Sequence, residues 1–122
     1  MNYHRNTKLE VQELISRILG NNDWIERDDL TQSLNIKKSQ FYADITLLKD
    51  SCLPGFSYFP RDSYLDRESA EIMICFRWIV GRYRSRGQGV IHALPLLNEV
   101  RNVNKQQQQH PGDCIEVKSV AI

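Results

Sequence analysis

Leu30-Thr31-Gln32-Ser33-Leu34-Asn35-Ile36-Lys37-Lys38-Ser39-Gln40-Phe41-Tyr42-Ala43-Asp44-Ile45-Thr46 is the stretch whose reading decides the fold. Leu30 and Leu34 stand one helical turn apart on a short helix beginning near Arg27. Asn35 ends that helix, because asparagine tolerates the left-handed backbone that a tight turn needs. Ile36 then points back inward. A second helix is predicted from Lys38 to Lys49, with Phe41, Ile45 and Leu48 on one face. Ser39, Tyr42, Ala43 and Thr46 fall roughly opposite, and Gln40 lies on a flank. An ordinary solvated helix face more often carries Lys and Glu. Two short helices, a tight turn and a polar outer face describe a helix-turn-helix, in which the second helix enters the major groove of double-stranded DNA. Lys37 and Lys38 stand at its N-terminus, where phosphates would lie. Ser39, Gln40, Tyr42 and Thr46 are the candidates for base edges, and glutamine is chemically suited to adenine. A plain packed helical hairpin carries the same apolar pattern, so the rest of the chain has to decide.

Upstream, Thr7 to Leu19 reads as an amphipathic helix through Leu9, Leu14, Ile15, Ile18 and Leu19, stopped by Gly20. Downstream, Pro54-Gly55 breaks the helical pattern. Phe56, Tyr58 and Tyr64 suit extended backbone, so a small ribbon or irregular loop is expected there. Asp66 then opens a fourth helix running to about Arg84. Its apolar face holds Ile72, Met73, Phe76, Ile79, Val80 and Tyr83, while Ile74 and Trp78 lie on another side. Arg84 to Gly89 reads as a flexible basic loop, followed by an apolar helix from Val90 to Val100. Pro95 predicts a break near Leu94. Gln106 to Gly112 reads as a linker, and Cys114 to Ile122 as a tail or strand. No internal repeat is visible.

The downstream order sharpens the reading. Helix-turn-helix, aromatic ribbon, Tyr64-Leu65-Asp66-Arg67-Glu68, apolar helix, Arg86-Gly87-Gln88-Gly89 and a second apolar helix follow one another. This order resembles the DNA-binding domain of MerR-type transcription regulators from Trp24 to about Val100. In its compactness the chain resembles the regulators of cyanobacterial type V-K CRISPR-associated transposons. The resemblance implies a mainly α, winged helix-turn-helix fold with an added N-terminal helix and a short C-terminal tail or strand. It makes Arg61 and Tyr64 the counterparts of the wing Arg-x-Tyr, and Gly87 that of the glycine joining two helices. Three departures accompany it. Tyr42-Ala43-Asp44 stands where the family usually has Arg-Tyr-Tyr, the wing spacing is one residue longer, and no long dimerisation helix or effector domain follows Val100. The expected division is a DNA-binding domain over residues 1–103 and a polar linker with tail over 104–122.

Charge and composition limit the alternatives. With 41% hydrophobic residues in 122, one small globular domain is expected. Sixteen Lys plus Arg against fifteen Asp plus Glu leave a net charge of +1, so this is not a generic polycation. The basic charge is local: between Glu71 and Glu99 there is no acid, and Arg77, Arg82, Arg84 and Arg86 fall in that gap. Arg82, Arg84 and Arg86, with Arg61, are the candidates for phosphate contacts. The same arginines would also suit a solvated helix end. The longest apolar run is too short for a membrane helix, and no signal peptide is apparent, so a cytoplasmic, nucleoid-associated protein is expected. Three widely spaced cysteines argue against a disulfide framework or zinc knuckle. His110 and Cys114 stand at i, i+4 with Asp113 between them, but without a fixed ligand-spacing motif, so no metal site is expected. No catalytic arrangement stands out, so no enzyme activity, cofactor or small-molecule effector is expected.

The function expected from these residues is sequence-specific binding to an operator, most simply an inverted repeat, by a homodimeric repressor. Leu14, Ile18, Ile74, Trp78, Ile115 and Val117 are the candidates for the dimer contact. Two other readings stay open: a protein-interaction module whose contact is the aromatic ribbon, and an excisionase-like recombination accessory factor.

Overall fold

Apolar residues on every side of one helix set the architecture. That helix, α4 (Arg67–Tyr83), buries Ala70, Ile72, Met73, Ile74, Cys75, Phe76 and Ile79. The computed structural model describes residues 5–58 and 62–108. Around α4 stand α1 (Arg5–Leu19), β1 (Trp24–Glu26), α2 (Arg27–Leu34), α3 (Lys38–Asp50), β2 (Tyr64–Asp66) and α5 (Arg86–Gln108). The described chain is therefore mainly helical, with one two-stranded antiparallel ribbon. None of its described helices is long and apolar enough to cross a membrane.

The α2–α3 connection forms as the sequence implies. Asn35 adopts φ 57° and ψ 46°, and the end of α2 is closed by the Asn35 N–H on the Gln32 carbonyl and the Ile36 N–H on the Thr31 carbonyl, both at 3.1 Å. Phe41, Ile45 and Leu48 of α3 are fully buried. Asp66 caps α4 by accepting from the Ser69 backbone N–H at 3.0 Å, an interaction ordinarily worth about 1 kcal/mol.

The ribbon differs from the expectation. Tyr64–Asp66 pairs with Trp24–Glu26, not with residues near Phe56 and Tyr58, in the register Trp24 to Asp66, Ile25 to Leu65 and Glu26 to Tyr64. The segment before β2 is pinned elsewhere. Ser57 N–H donates to Ser69 Oγ at 3.0 Å, and Lys49 Nζ donates to the Tyr58 carbonyl at 3.1 Å. Tyr58 is buried, its hydroxyl donates to the Asp62 carbonyl at 2.7 Å, and burial pushes its phenol pKa up. These bonds hold the described part of the segment as an irregular loop.

The ribbon also exposes a local repeat that the sequence reading missed. Each strand runs directly into a helix, and Trp24-Ile25-Glu26-Arg27 and Tyr64-Leu65-Asp66-Arg67 share the order aromatic, aliphatic, acid, arginine. The Arg27 N–H donates to the Ser63 carbonyl, and the Arg67 N–H to the Asp23 carbonyl, both at 2.8 Å. Ile25 and Leu65 point to the core, and the flanking residues of each strand are exposed. Four residues are too few for such a repeat to stand out from one chain.

Helix α5 is longer and less broken than the sequence implies. It begins at Arg86, so Arg86 to Gly89 is its first turn rather than a flexible loop. It passes through Pro95 without interruption and extends through Gln108 into the expected linker. Pro95 and Ile91 are both exposed one turn apart, so the carbonyl that proline leaves without a donor lies on the water side. The glycine that lets α5 approach α4 is Gly89, not Gly87. A Cβ at Gly89 would stand 2.8 Å from Phe76 Cδ1 and from Val80 Cγ2, whereas one at Gly87 meets only Ser85 Oγ at 3.7 Å.

Several expected surfaces are already used inside the chain. Helix α1 turns Val11, Ile15 and Leu19 inward and leaves Leu14 and Ile18 half-buried against the same core. Lys8 Nζ reaches Glu99 Oε1 at 3.2 Å and ties α1 to α5. Ile74 is fully buried, so it cannot serve as a dimer contact; α4 is wrapped on more sides than its sequence alone reveals. Tyr83, expected on the apolar face, is 48% exposed at the end of α4. The linker beyond Gln108, the tail and its Ile115 and Val117, His110 and Cys114 lie outside the described residues.

The two described cysteines contrast. Cys75 is fully enclosed, and burial pushes its thiol pKa far up. Cys52 is exposed in a left-handed turn at φ 55°. In a Cys114→Ser variant, one thiol per chain is expected to react with a soluble disulfide reagent under native conditions and two after denaturation. Two native-state thiols would contradict the burial of Cys75.

Candidate nucleic-acid interface

The outer side of α3 is assembled from the turn that precedes it. Left-handed Asn35 redirects the chain, Lys37 takes an extended conformation as the N-cap, and Lys38 begins the helix. Lys37, Lys38, Ser39 and Thr46 are exposed. Thr46 Oγ donates back to the Tyr42 carbonyl at 3.0 Å, which restrains this exposed side chain.

Gln40 and Tyr42 are half-buried and partly engaged. Tyr42 Oη accepts from Arg27 Nη1 at 3.1 Å, so the first residue of α2 holds a side chain of α3. Gln40 Nε2 donates to Asp44 Oδ1 at 2.8 Å, one turn along the helix. Both side chains are thereby oriented before any partner arrives.

Asp44 is the residue the sequence reading missed. It is fully buried and accepts from Arg77 Nη1 at 3.0 Å and Arg86 Nη2 at 2.9 Å, in addition to Gln40. The arginine-rich gap between Glu71 and Glu99 has no acid in sequence, but α3 brings one to it in space. Arg77 and Arg86 are therefore ion-paired, and the expectation that Arg86 stands as an unopposed cation is corrected. The signal was present. Asp44 lies three residues after Phe41 and one before Ile45, on the inward side of α3, and an acid there requires a cationic partner.

Arg82 and Arg84 remain exposed, and among the described residues no acid pairs with either side chain. The Arg82 guanidinium carbon lies 5.3 Å from the centre of the Trp78 ring, a cation–π arrangement that restrains it without cancelling its charge. Trp78 is half-buried against the core. Arg84 takes the left-handed C-cap of α4, at φ 56° and ψ 36°, which turns the chain sharply into α5. Ser85 Oγ accepts from the Gln88 N–H at 3.1 Å and caps the start of α5. Arg61 lies outside the described residues.

The exposed side of the ribbon carries a second feature. Trp24 and Tyr64 are 54% and 50% exposed, and their rings meet edge to face at 4.7 Å. Among the described residues, no group of three or more His, Cys, Asp or Glu side chains is placed to hold a metal ion.

No known protein-family model matches the chain, and comparison with curated proteins and with solved structures finds no significant match to either.

Proposed function

We propose that this chain is a sequence-specific double-stranded DNA-binding transcription regulator, a homodimeric repressor built on a winged helix-turn-helix of the MerR type. The observation that carries the reading is the outer side of α3. Lys37 and Lys38 lead the helix, Ser39 and Thr46 are exposed, and Gln40 and Tyr42 are held in place on its flanks. The left-handed turn at Asn35 and the exposed arginines at the α4–α5 corner support it. With Ile74 buried, Leu14, Ile18 and Trp78, each half-buried, are the described residues that remain of the candidates for a dimer contact.

In this reading Lys37, Lys38, Arg82 and Arg84 meet phosphates, and Ser39, Gln40, Tyr42 and Thr46 meet base edges. Selection of a binding site from random duplexes, followed by titration of variants, tests it. Gln40→Ala and Tyr42→Ala are each expected to weaken specific binding by about 1–3 kcal/mol and to leave non-specific binding nearly unchanged. If both bind the selected site as tightly as the parent chain, α3 is not the reading helix.

The exposed Trp24–Tyr64 pair favours a second reading, a protein-interaction module whose contact is the ribbon. Retention on double-stranded DNA in a salt gradient separates the two. A chain that elutes with no salt dependence belongs to the second class.

A further inference from the structure

Asp44 is the one acid among the buried residues of the described chain, and it lies on the helix proposed to read DNA. A buried carboxylate is strongly disfavoured unless its oxygens are satisfied by cations and hydrogen bonds. Here both oxygens are engaged. Oδ1 accepts from Gln40 and Arg86, and Oδ2 accepts from Arg77. Each donor comes from a different place: Gln40 from α3 itself, Arg77 from the middle of α4, and Arg86 from the first residue of α5.

We propose that Asp44 is a positioning residue for DNA recognition. It draws Arg77 and Arg86 onto α3, so that these two cations brace the helix instead of acting as indiscriminate phosphate contacts, and it fixes the Gln40 amide for base reading. The inference rests on the DNA-binding reading above. Its physical content is a trade between two uses of the same guanidinium groups. A phosphate contact adds affinity for every sequence, whereas a guanidinium held by Asp44 adds none. Arg86 is the sensitive member, since its side chain is 43% exposed and would face phosphate if released, against 21% for Arg77. Gln40 has only one carboxylate bond to hold its amide, so its orientation is lost with the same residue.

The test measures affinity for a selected site and for unrelated duplex over a range of salt. Asp44→Asn keeps the size of the side chain and an oxygen for Gln40, but removes the charge that holds the arginines. Non-specific affinity is expected to rise severalfold. The log-affinity against log-salt slope is expected to steepen by up to about 1.8, the value for two added phosphate contacts. The ratio of specific to non-specific affinity falls. A folded Asp44→Asn chain with the parent slope and ratio overturns the inference while leaving the DNA-binding reading intact. A parent chain that shows no salt-dependent binding to any duplex overturns that reading, and the inference with it. Should Asp44→Asn not fold, Arg86→Gln decides the matter. An arginine already held away from phosphate leaves the salt slope unchanged when replaced, and a slope flattened by about 0.9 identifies Arg86 as a phosphate contact and overturns the inference.

Discussion

Phe76→Ala is expected to destabilise the chain by about 3–5 kcal/mol, the usual range for emptying a fully buried aromatic site. Single domains are stable by only about 5–15 kcal/mol, so thermal unfolding should shift down by more than ten degrees or the native state should be lost at room temperature. The effect is large because Phe76 is fully buried where α5 approaches α4, beneath Gly89. That geometry makes a second, sharper expectation. Gly89→Ala alone would press a methyl group to 2.8 Å from Phe76 and Val80. Overpacking of that kind costs about 1–3 kcal/mol, against about 1 kcal/mol gained from the better helix propensity of alanine. With Phe76 already removed, only the Val80 contact remains, so Gly89→Ala should cost less than in the parent chain. Gly87→Ala, in open space on the same helical turn, should be neutral or slightly stabilising in either background. Urea titration of the two single variants and the double variant gives the coupling directly. Effects of Phe76→Ala and Gly89→Ala that add to within about 0.5 kcal/mol would show that the close approach is not the role of Gly89.

The comparison of Gly87 with Gly89 illustrates how far the sequence can be read. Periodicity identified α1 through α4 and the inward triad Phe41, Ile45 and Leu48, because a helix repeats its faces at a fixed angle and a buried face must be apolar. The left-handed turn at Asn35 was legible for a similar reason, since few side chains accept that backbone. Tertiary placement was not. Which of two nearby glycines bears a neighbouring helix depends on where α5 crosses α4, and no local rule states that. Ile74 was read as a second face of α4, but it is covered because α4 is surrounded. Pro95 predicted a break that solvent exposure of its helix face makes unnecessary. Strand β1 was missed because three residues carry no periodicity, and its partner is some forty positions away. At the candidate interface the exposed lysines and hydroxyls followed from helical phase alone. The Asp44 cluster did not, because it joins α3, α4 and the start of α5 across more than thirty residues of chain.

Replacing Lys37, Lys38, Arg82 and Arg84 together by alanine is the substitution set expected to affect DNA binding most. It changes the net charge from +1 to −3 by removing four cations, and all four sites are exposed, so the fold should tolerate it apart from the loss of the Arg82 contact with Trp78. That contact is worth about 0.5–1 kcal/mol at an exposed site. If each side chain neutralises one phosphate, the log-affinity against log-salt slope should flatten by about 3.6, so the parent chain would lose about 150-fold more affinity than the variant between 50 and 200 mM salt. The loss should be shared by selected and unrelated duplexes, because phosphates carry no base identity. In this it differs from Gln40→Ala, which should change discrimination at nearly constant slope. The comparison also bears on the paired arginines. Adding Arg77→Gln and Arg86→Gln to the Asp44→Asn chain, where no buried carboxylate is left unpaired, should remove the extra slope that Asp44→Asn creates. A slope that is unchanged in the fourfold variant would place the DNA-contacting surface elsewhere on the molecule, and binding that persists with no salt dependence would exclude phosphate contacts as its source.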